Sequence, residues 1–312
     1  MKTPSAVVFS LLPVRPGSTV ASVRIAAWLG AHLRLPVLDS AAIDTTEPLD
    51  VLFIINGSTL YCKCLPELAN AVRRARRVVW VQNDYTLPPP RAESNAESPF
   101  RRAFAERKLV PEFWTTCYEN THRTMLSRYV NWNQLGYAPP PPPNNPVQYP
   151  LALYYGAWRQ GRAAALGRAA ALCGPRLRVS TTGAGQRWAS VVAPEQLLPP
   201  VRGHLGHELE KWAFGIYAED KKSTGARHSP ATRFYEMLSA GLPMLFDRDS
   251  VKTLAQYKIN AADWDLAGYP FRAYLAGREE IRRAQQRAWA EDYMAILRRQ
   301  VDDAWESLRI AL

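Results

Sequence analysis

The stretch densest in usable chemistry runs from Tyr217 to Asp247, YAEDKKSTGARHSPATRFYEMLSAGLPMLFD. Between Glu219 and His228 it has no apolar periodicity and carries Lys221, Lys222, Gly225 and Arg227. Ser229 and Pro230 then read as a helix start, with a hydroxyl at the cap and proline at the first helical position. Gly241 stops the helix, and Leu242–Phe246 has the make-up of a short buried strand. A basic, glycine-bearing loop that feeds a helix N-terminus suits an anion, because unpaired N–H groups and the helix dipole both favour negative charge. Lys221, Ser229, Thr232 and Arg233 are the candidate phosphate contacts, and Glu236, one turn in, is placed to accept hydrogen bonds from a ribose. The same residues also suit an ordinary loop–helix–strand unit with a solvated charge run.

A second constellation is Tyr154-Tyr155-Gly156-Ala157-Trp158-Arg159, at an expected strand-to-helix turn, with Arg162 one turn on. A glycine there lets the backbone approach a ligand, and an arginine clamps a diphosphate through paired hydrogen bonds. Tyr155, Gly156, Arg159 and Arg162 therefore join the candidate set, with solvated arginines near a helix start as the competing view. No GxxxxGK[ST] cradle, GxSxG elbow or HExxH pair occurs. Cys62, Cys64, Cys117 and Cys173 lack metal-ligand spacing and read as free thiols of a reducing compartment. There is no DxD motif apart from Asp263-Trp264-Asp265, which lies outside any expected strand end, so no metal is expected.

These groups need a scaffold, and 312 residues suit two medium domains better than one. Strands are expected at Ala6–Leu12, Pro36–Leu38, Val51–Ile55, Val78–Val81 and Glu112–Thr116, with helices at Thr19–Leu33 and Leu65–Arg74. Such alternation indicates a parallel sheet covered by helices, in which ligands meet the carboxyl ends of the strands. The proline run within Ala138–Pro150 reads as a stiff spacer. Beyond it Leu151–Tyr155, Leu177–Thr181 and Trp212–Tyr217 resume the strand pattern, and Glu279–Leu312 is an amphipathic helix, broken at most once. The expected division is 1–143, 144–275 and a tying helix at 276–312. The start MKTPSAVVFSLL reads as a core strand rather than a signal peptide, and no apolar run approaches the ~18 residues of a membrane span. A soluble, cytoplasmic protein with no membrane partner is expected. The net charge of +11 favours polyanionic partners without choosing among nucleic acid, acidic membrane and nucleotide.

SPATRFYEMLSAGLPMLFD resembles the donor-binding segment of GT-B glycosyltransferases, in which a helix start binds the diphosphate and a helix glutamate the ribose. Together with YYGAWRQGR and SRYVNWNQLGY it resembles phage-encoded glycosyltransferases, DNA glycosyltransferases among them. The resemblance touches three stretches between roughly Tyr129 and Asp247. It implies an α/β, GT-B-like fold of two Rossmann-like domains facing a central cleft, with a C-terminal helix packing back across them. The N-terminal domain would take the acceptor and the C-terminal one a nucleotide-sugar, UDP-linked, with no tightly bound cofactor. One departure matters: many GT-B enzymes carry a second glutamate eight residues before the ribose-binding one, where this chain has His228. A histidine cannot stand in for that carboxylate, so the family's retaining mechanism does not transfer, although His228 can hydrogen-bond a sugar hydroxyl or phosphate.

An inverting transfer needs a general base. Asp84, past the fourth strand, is the first candidate and Glu119 the second, and either also suits a turn. The acceptor implied is a hydroxymethylated pyrimidine in double-stranded phage DNA. Basic runs that include Arg74 and Arg77 would hold the backbone, and Tyr85, Trp114 and Trp132 would stack an extruded base. A solvated basic face is the alternative for those runs. The competing functions are transfer to a protein or polysaccharide, or a non-catalytic nucleotide- or DNA-binding module. Oligomeric state is not legible in the chain.

Overall fold

The structure is a computed structural model that describes residues 5–15, 20–43, 47–56, 66–82, 99–116, 127–138, 147–156, 158–180, 185–201, 206–219, 230–254, 265–266, 268–292 and 294–311. The chain forms two compact units, Met1–Gly136 together with Met294–Leu312, and Tyr137–Tyr293.

The first unit holds a six-stranded parallel sheet in the order β2-β1-β3-β4-β5-β6. Its strands are β1 (Ala6–Phe9), β2 (Val37–Leu38), β3 (Leu49–Asn56), β4 (Ala75–Gln82), β5 (Glu112–Thr115) and β6 (Ser127–Tyr129). Its N-terminal stretch contributes, among the described residues, helices α1 (Ala21–Leu33), α2 (Pro66–Arg74) and α3 (Pro99–Arg107). A parallel sheet covered on both faces needs strands that are apolar throughout, as β3 and β4 are. Leu52, Ile54, Val78, Trp80 and Phe113 pack with Leu68 and Val72 of α2 and Ala103 of α3. On the other face Phe53 meets Trp114 at 5.1 Å and Trp305 at 5.7 Å between ring centroids. Gly30 lets α1 lie close to β2, since a Cβ there would fall 2.3 Å from Val37 Cγ2.

The second unit holds a five-stranded parallel sheet in the order β11-β10-β7-β8-β9. Its strands are β7 (Tyr149–Tyr155), β8 (Leu177–Ser180), β9 (Leu197–Leu198), β10 (Trp212–Tyr217) and β11 (Met244–Phe246). The helices that follow α3 in the chain are α4 (Ala163–Cys173), α5 (Gly185–Trp188), α6 (Gly206–Leu209), α7 (Thr232–Ser239), α8 (Val251–Leu254), α9 (Phe271–Ala276), α10 (Arg278–Asp292) and α11 (Ala295–Ile310). Tyr154, Leu166, Val179, Trp188, Phe214 and Leu245 share its core. The edge strand β11 is closed off by Gln285 of α10. Its side-chain amide accepts from Met244 N and donates to Met244 O, both at 2.8 Å, which occupies backbone groups that an open edge would leave for another chain.

Two expectations are revised. The division falls at Gly136/Tyr137, ahead of the proline run rather than after it. The tail helix is broken once, where Met294 takes φ +60, and its two parts do not share a unit: α10 lies in the second and α11 in the first. Leu297, Val301, Ala304 and Leu308 are the buried stripe of α11.

Candidate functional site

In the second sheet β7 lies beside β10, although β8 and β9 separate them in the chain. The order of strands reverses at that pair, and the carboxyl ends flanking such a reversal are where doubly wound sheets receive ligands. Strand β7 ends in Tyr155-Gly156, β10 runs into Ala218-Glu219, and α7 supplies Arg233 and Glu236.

Gly156 has φ +142, a conformation that only glycine adopts readily, and its N–H donates to Ser180 O at 3.1 Å. A Cβ at this position would sit 3.1 Å from Arg233 Nη1 and 3.9 Å from Arg162 Nη1, so the turn lies directly against two guanidinium groups. Both arginines are over nine-tenths buried, with Arg162 6% and Arg233 8% exposed. Among the described residues they share one carboxylate, Glu219, whose Oε2 is 3.7 Å from Arg162 and 3.5 Å from Arg233. The other oxygen, Oε1, accepts from Tyr217 OH at 2.5 Å. Arg233 also donates to Ala218 O and lies over the rings of Tyr154 and Tyr217, 5.7 and 5.5 Å from their centroids. Arg162 donates to Tyr154 OH at 3.3 Å.

Two buried cations against one anion leave an excess of positive charge under the glycine turn. The Nε of each arginine is buried without a hydrogen-bond partner among the described residues, and an unmade bond on a buried donor is costly. Burial works against the charge on Arg233, but Glu219 and the surrounding tyrosines outweigh it and hold the pKa above the ordinary arginine value. The guanidinium stays charged at any working pH.

Glu236 is half-buried and oriented by two phenols. Its Oε2 accepts from Tyr155 OH at 2.7 Å and its Oε1 from Tyr137 OH at 3.4 Å. Burial, and then the Glu236 carboxylate, push the Tyr155 phenol well above its ordinary value of 10.0, so it keeps the proton it donates. Burial and Glu219 do the same for Tyr217. A carboxylate offers about four lone-pair positions, so Glu236 retains capacity to accept from a ligand diol. The site thus pairs a positive excess, suited to phosphate, with an oriented acceptor suited to a sugar.

The structure brings together five expected residues: Tyr155, Gly156, Arg162, Arg233 and Glu236. Arg162, however, is a buried partner of Glu219 rather than a surface clamp. Arg159 and Thr232 are exposed nearby. The helix starts later than expected: its N-cap is Ala231, extended at φ −66 and ψ 157, and Pro230 precedes the first turn. The Ala231 N–H is taken by Tyr217 OH at 3.0 Å, which holds that residue outside the helix. Lys221, His228 and Ser229 lie outside the described residues, as do Asp84, Tyr85 and Glu119.

Two proposed base-stacking rings are core residues. Trp114 is 0% and Trp132 2% exposed; Trp114 Nε1 donates to Glu112 and Trp132 Nε1 to Trp114 O. Neither presents a face for an extruded base. Arg74 ends α2 and Arg77 is the third residue of β4, which puts both toward the amino rim of the first sheet. Along β4 that places them roughly 17 Å (Arg77) and roughly 26 Å (Arg74) from its carboxyl end at ~3.3 Å per residue. Sequence reasoning missed Glu219, Tyr137 and Tyr217. Applying the carboxyl-end rule to β10 as well as to the first sheet would have found Glu219. Among the described residues no cluster of His, Cys, Asp and Glu forms a metal site, and no helix is long and apolar enough to cross a membrane.

No protein family matches the sequence, and no curated protein does. Solved structures do match. AviGT4, a glycosyltransferase involved in avilamycin A biosynthesis, is 14% identical over 98% of this chain and 98% of its own, with a TM-score of 0.48. The glycosyltransferase SnogD from Streptomyces nogalater is 14% identical over 98% of this chain and 100% of its own, with a TM-score of 0.37. Anabaena Alr3699/HepE, solved in complex with UDP and glucose, is 11% identical over 98% and 100% of the two chains, with a TM-score of 0.50. The last of these, together with the two parallel sheets, identifies the fold as two-domain α/β of the GT-B kind.

Proposed function

We propose that the chain is a nucleotide-sugar glycosyltransferase whose donor binds at the carboxyl ends of β7 and β10. The diphosphate lies over Gly156 and the start of α7, and Glu236 takes the ribose. One observation carries this reading: a doubly oriented carboxylate and a buried arginine pair with orphaned donors meet at the strand-order reversal. In transfer, the glycosidic bond to the diphosphate breaks and negative charge grows on the departing phosphate. Fixed positive charge and N–H dipoles beneath it stabilise that growth without reorganising. Arg162 and Arg233 supply the field from below, and exposed Arg159 is free to reach the phosphate directly. A UDP-linked sugar is the donor we favour, in keeping with the UDP and glucose held by HepE. Asp84 and Glu119 are the proposed bases on the acceptor side.

For the acceptor, hydroxymethylated pyrimidine DNA is one proposal, now without the stacking tryptophans and with its basic run at the far rim. A small hydroxylated acceptor with both apolar and polar parts is the second. It is favoured by a cavity of about 270 Å³ at the carboxyl ends of β1 and β2, lined by Leu12, Val14, Val37 and Leu38 with Ser10 and Asp39. Calorimetric titration with UDP tests the donor site. Glu236→Ala removes a charged hydrogen-bond acceptor, and affinity should fall about 10- to 150-fold, the equivalent of ~1.5–3 kcal/mol. Unchanged affinity refutes the ribose role, and no UDP binding by the wild type refutes the donor reading. Mass analysis of nucleosides from treated hydroxymethyl-containing DNA then decides the acceptor.

A further inference from the structure

The amino rim of the first sheet carries a feature that sugar transfer does not use. Val110 and Ile310 are the two most exposed large hydrophobic residues among those described, at 66% and 79%. Both lie at this rim. Val79 pairs with Glu112 across β4 and β5, and Val110 precedes the start of β5 by two residues as Arg77 precedes Val79 on β4. The Arg77 guanidinium in turn donates to Ala311 O at 3.0 Å, next to Ile310.

Around these two side chains the rim is basic. Arg76 is the second residue of β4, Arg107 ends α3 and Lys108 follows it; all three are exposed, and none has an ion pair among the described residues. The carboxylates facing the rim are largely engaged. Glu106 binds Arg73 at 2.8 Å, Glu306 binds Arg309 at 3.1 Å, and Asp50, which aligns with Arg76 across β3 and β4, accepts from Ser5 N.

We propose that this rim docks on an anionic lipid surface, with Val110 and Ile310 entering the headgroup–acyl boundary and Arg76, Arg107 and Lys108 on the phosphates. The apolar tips decide between lipid and nucleic acid. A phosphodiester backbone has no counterpart for two projecting aliphatic side chains, whereas a membrane interface accommodates both kinds of group. The proposal does not depend on the donor reading.

Co-sedimentation of the full chain with vesicles tests it. Wild type should bind phosphatidylcholine vesicles that contain phosphatidylglycerol, lose them as salt rises, and leave pure phosphatidylcholine vesicles in suspension. Arg76→Glu with Lys108→Glu should weaken binding at least about 25-fold, at about fivefold per basic residue near the surface. Val110→Ser with Ile310→Ser should weaken it about tenfold or more through lost apolar burial. All four positions are exposed, and a melting curve confirms that each variant is folded. Equal binding to both vesicle types, which requires no variant, overturns the proposal. So does a folded variant that binds like wild type, or wild type that takes up duplex DNA and ignores the anionic vesicles.

Discussion

Replacing Glu219 with glutamine tests the electrostatic logic of the site. The side chain is 5% exposed and is the one carboxylate that Arg162 and Arg233 share among the described residues. Glutamine keeps the shape and can still accept from Tyr217, so packing is preserved and only the charge is lost. Removing one partner of a buried ion pair leaves uncompensated charge and costs about 3–5 kcal/mol. For a unit the size of 137–293, 1 kcal/mol moves the melting temperature by about 2–4 °C, so a fall of about 6–20 °C is expected. Differential scanning calorimetry of the full chain measures it, with and without saturating UDP. The missing charge is negative and the proposed ligand is an anion, so UDP should raise the melting temperature of Glu219→Gln by at least as much as that of wild type. A fall of less than about 2 °C would show that water or another group already neutralises the arginines, and the argument from buried positive excess would be wrong. A normal fall with no UDP response would keep the ion pair and discard the anion site.

Two further outcomes follow from local geometry. Gly156→Ala forces a side chain into a glycine-only conformation, at about 1–3 kcal/mol, and against Arg233, which is held by Ala218 O and Glu219 and cannot retreat; the variant should melt lower and bind UDP more weakly, and a wild-type melting curve would contradict the reported turn. Hydrogen bonding from Arg282, with Arg283 adding to it, lowers the Glu279 carboxyl from 4.5 to about 2. Because the folded pKa is depressed, its stabilisation is complete above about 4.5 and is lost as pH falls toward 2. Glu279 is partly exposed, so solvent screening limits the effect to under about 1 kcal/mol. Carboxyl-detected NMR titration should find its midpoint near 2, and a midpoint near 4.5 would remove the pair from α10.

What was legible in the sequence depended on whether the signal was local. Apolar runs announced β3, β7 and β10, because strands buried on both faces need apolar residues throughout. Strand β4 begins three residues earlier than its apolar run, because Arg76 and Arg77 extend it at an exposed rim. Strands β6 and β9, three and two residues long, carry too little pattern to stand out. Glu236 and Gly156 could be chosen from motif context, but the Arg162–Glu219–Arg233 cluster could not, since it joins residues up to 71 apart whose pairing exists only in the fold. The tryptophans misled for a related reason: an indole suits a binding face or a core equally, and only burial separates the two.

The unit boundary shows the same dependence on packing. A run of prolines stiffens the chain, and the sequence therefore invites a division after it. Yet Tyr137, which lies before the prolines, stacks on Tyr235 with ring centroids 6.1 Å apart and donates to Glu236. Its contacts are with α7, so it belongs to the second unit however the following residues are arranged. The first residue of that unit is thereby part of the machinery that orients the proposed ribose acceptor. Glu219 makes the complementary point about charge. With one oxygen on Tyr217, the other between two arginines and the side chain 5% exposed, it presents no open face to a sugar hydroxyl or an acceptor proton. It therefore acts through the arginines as a positioning residue, and it does not replace the carboxylate that His228 lacks.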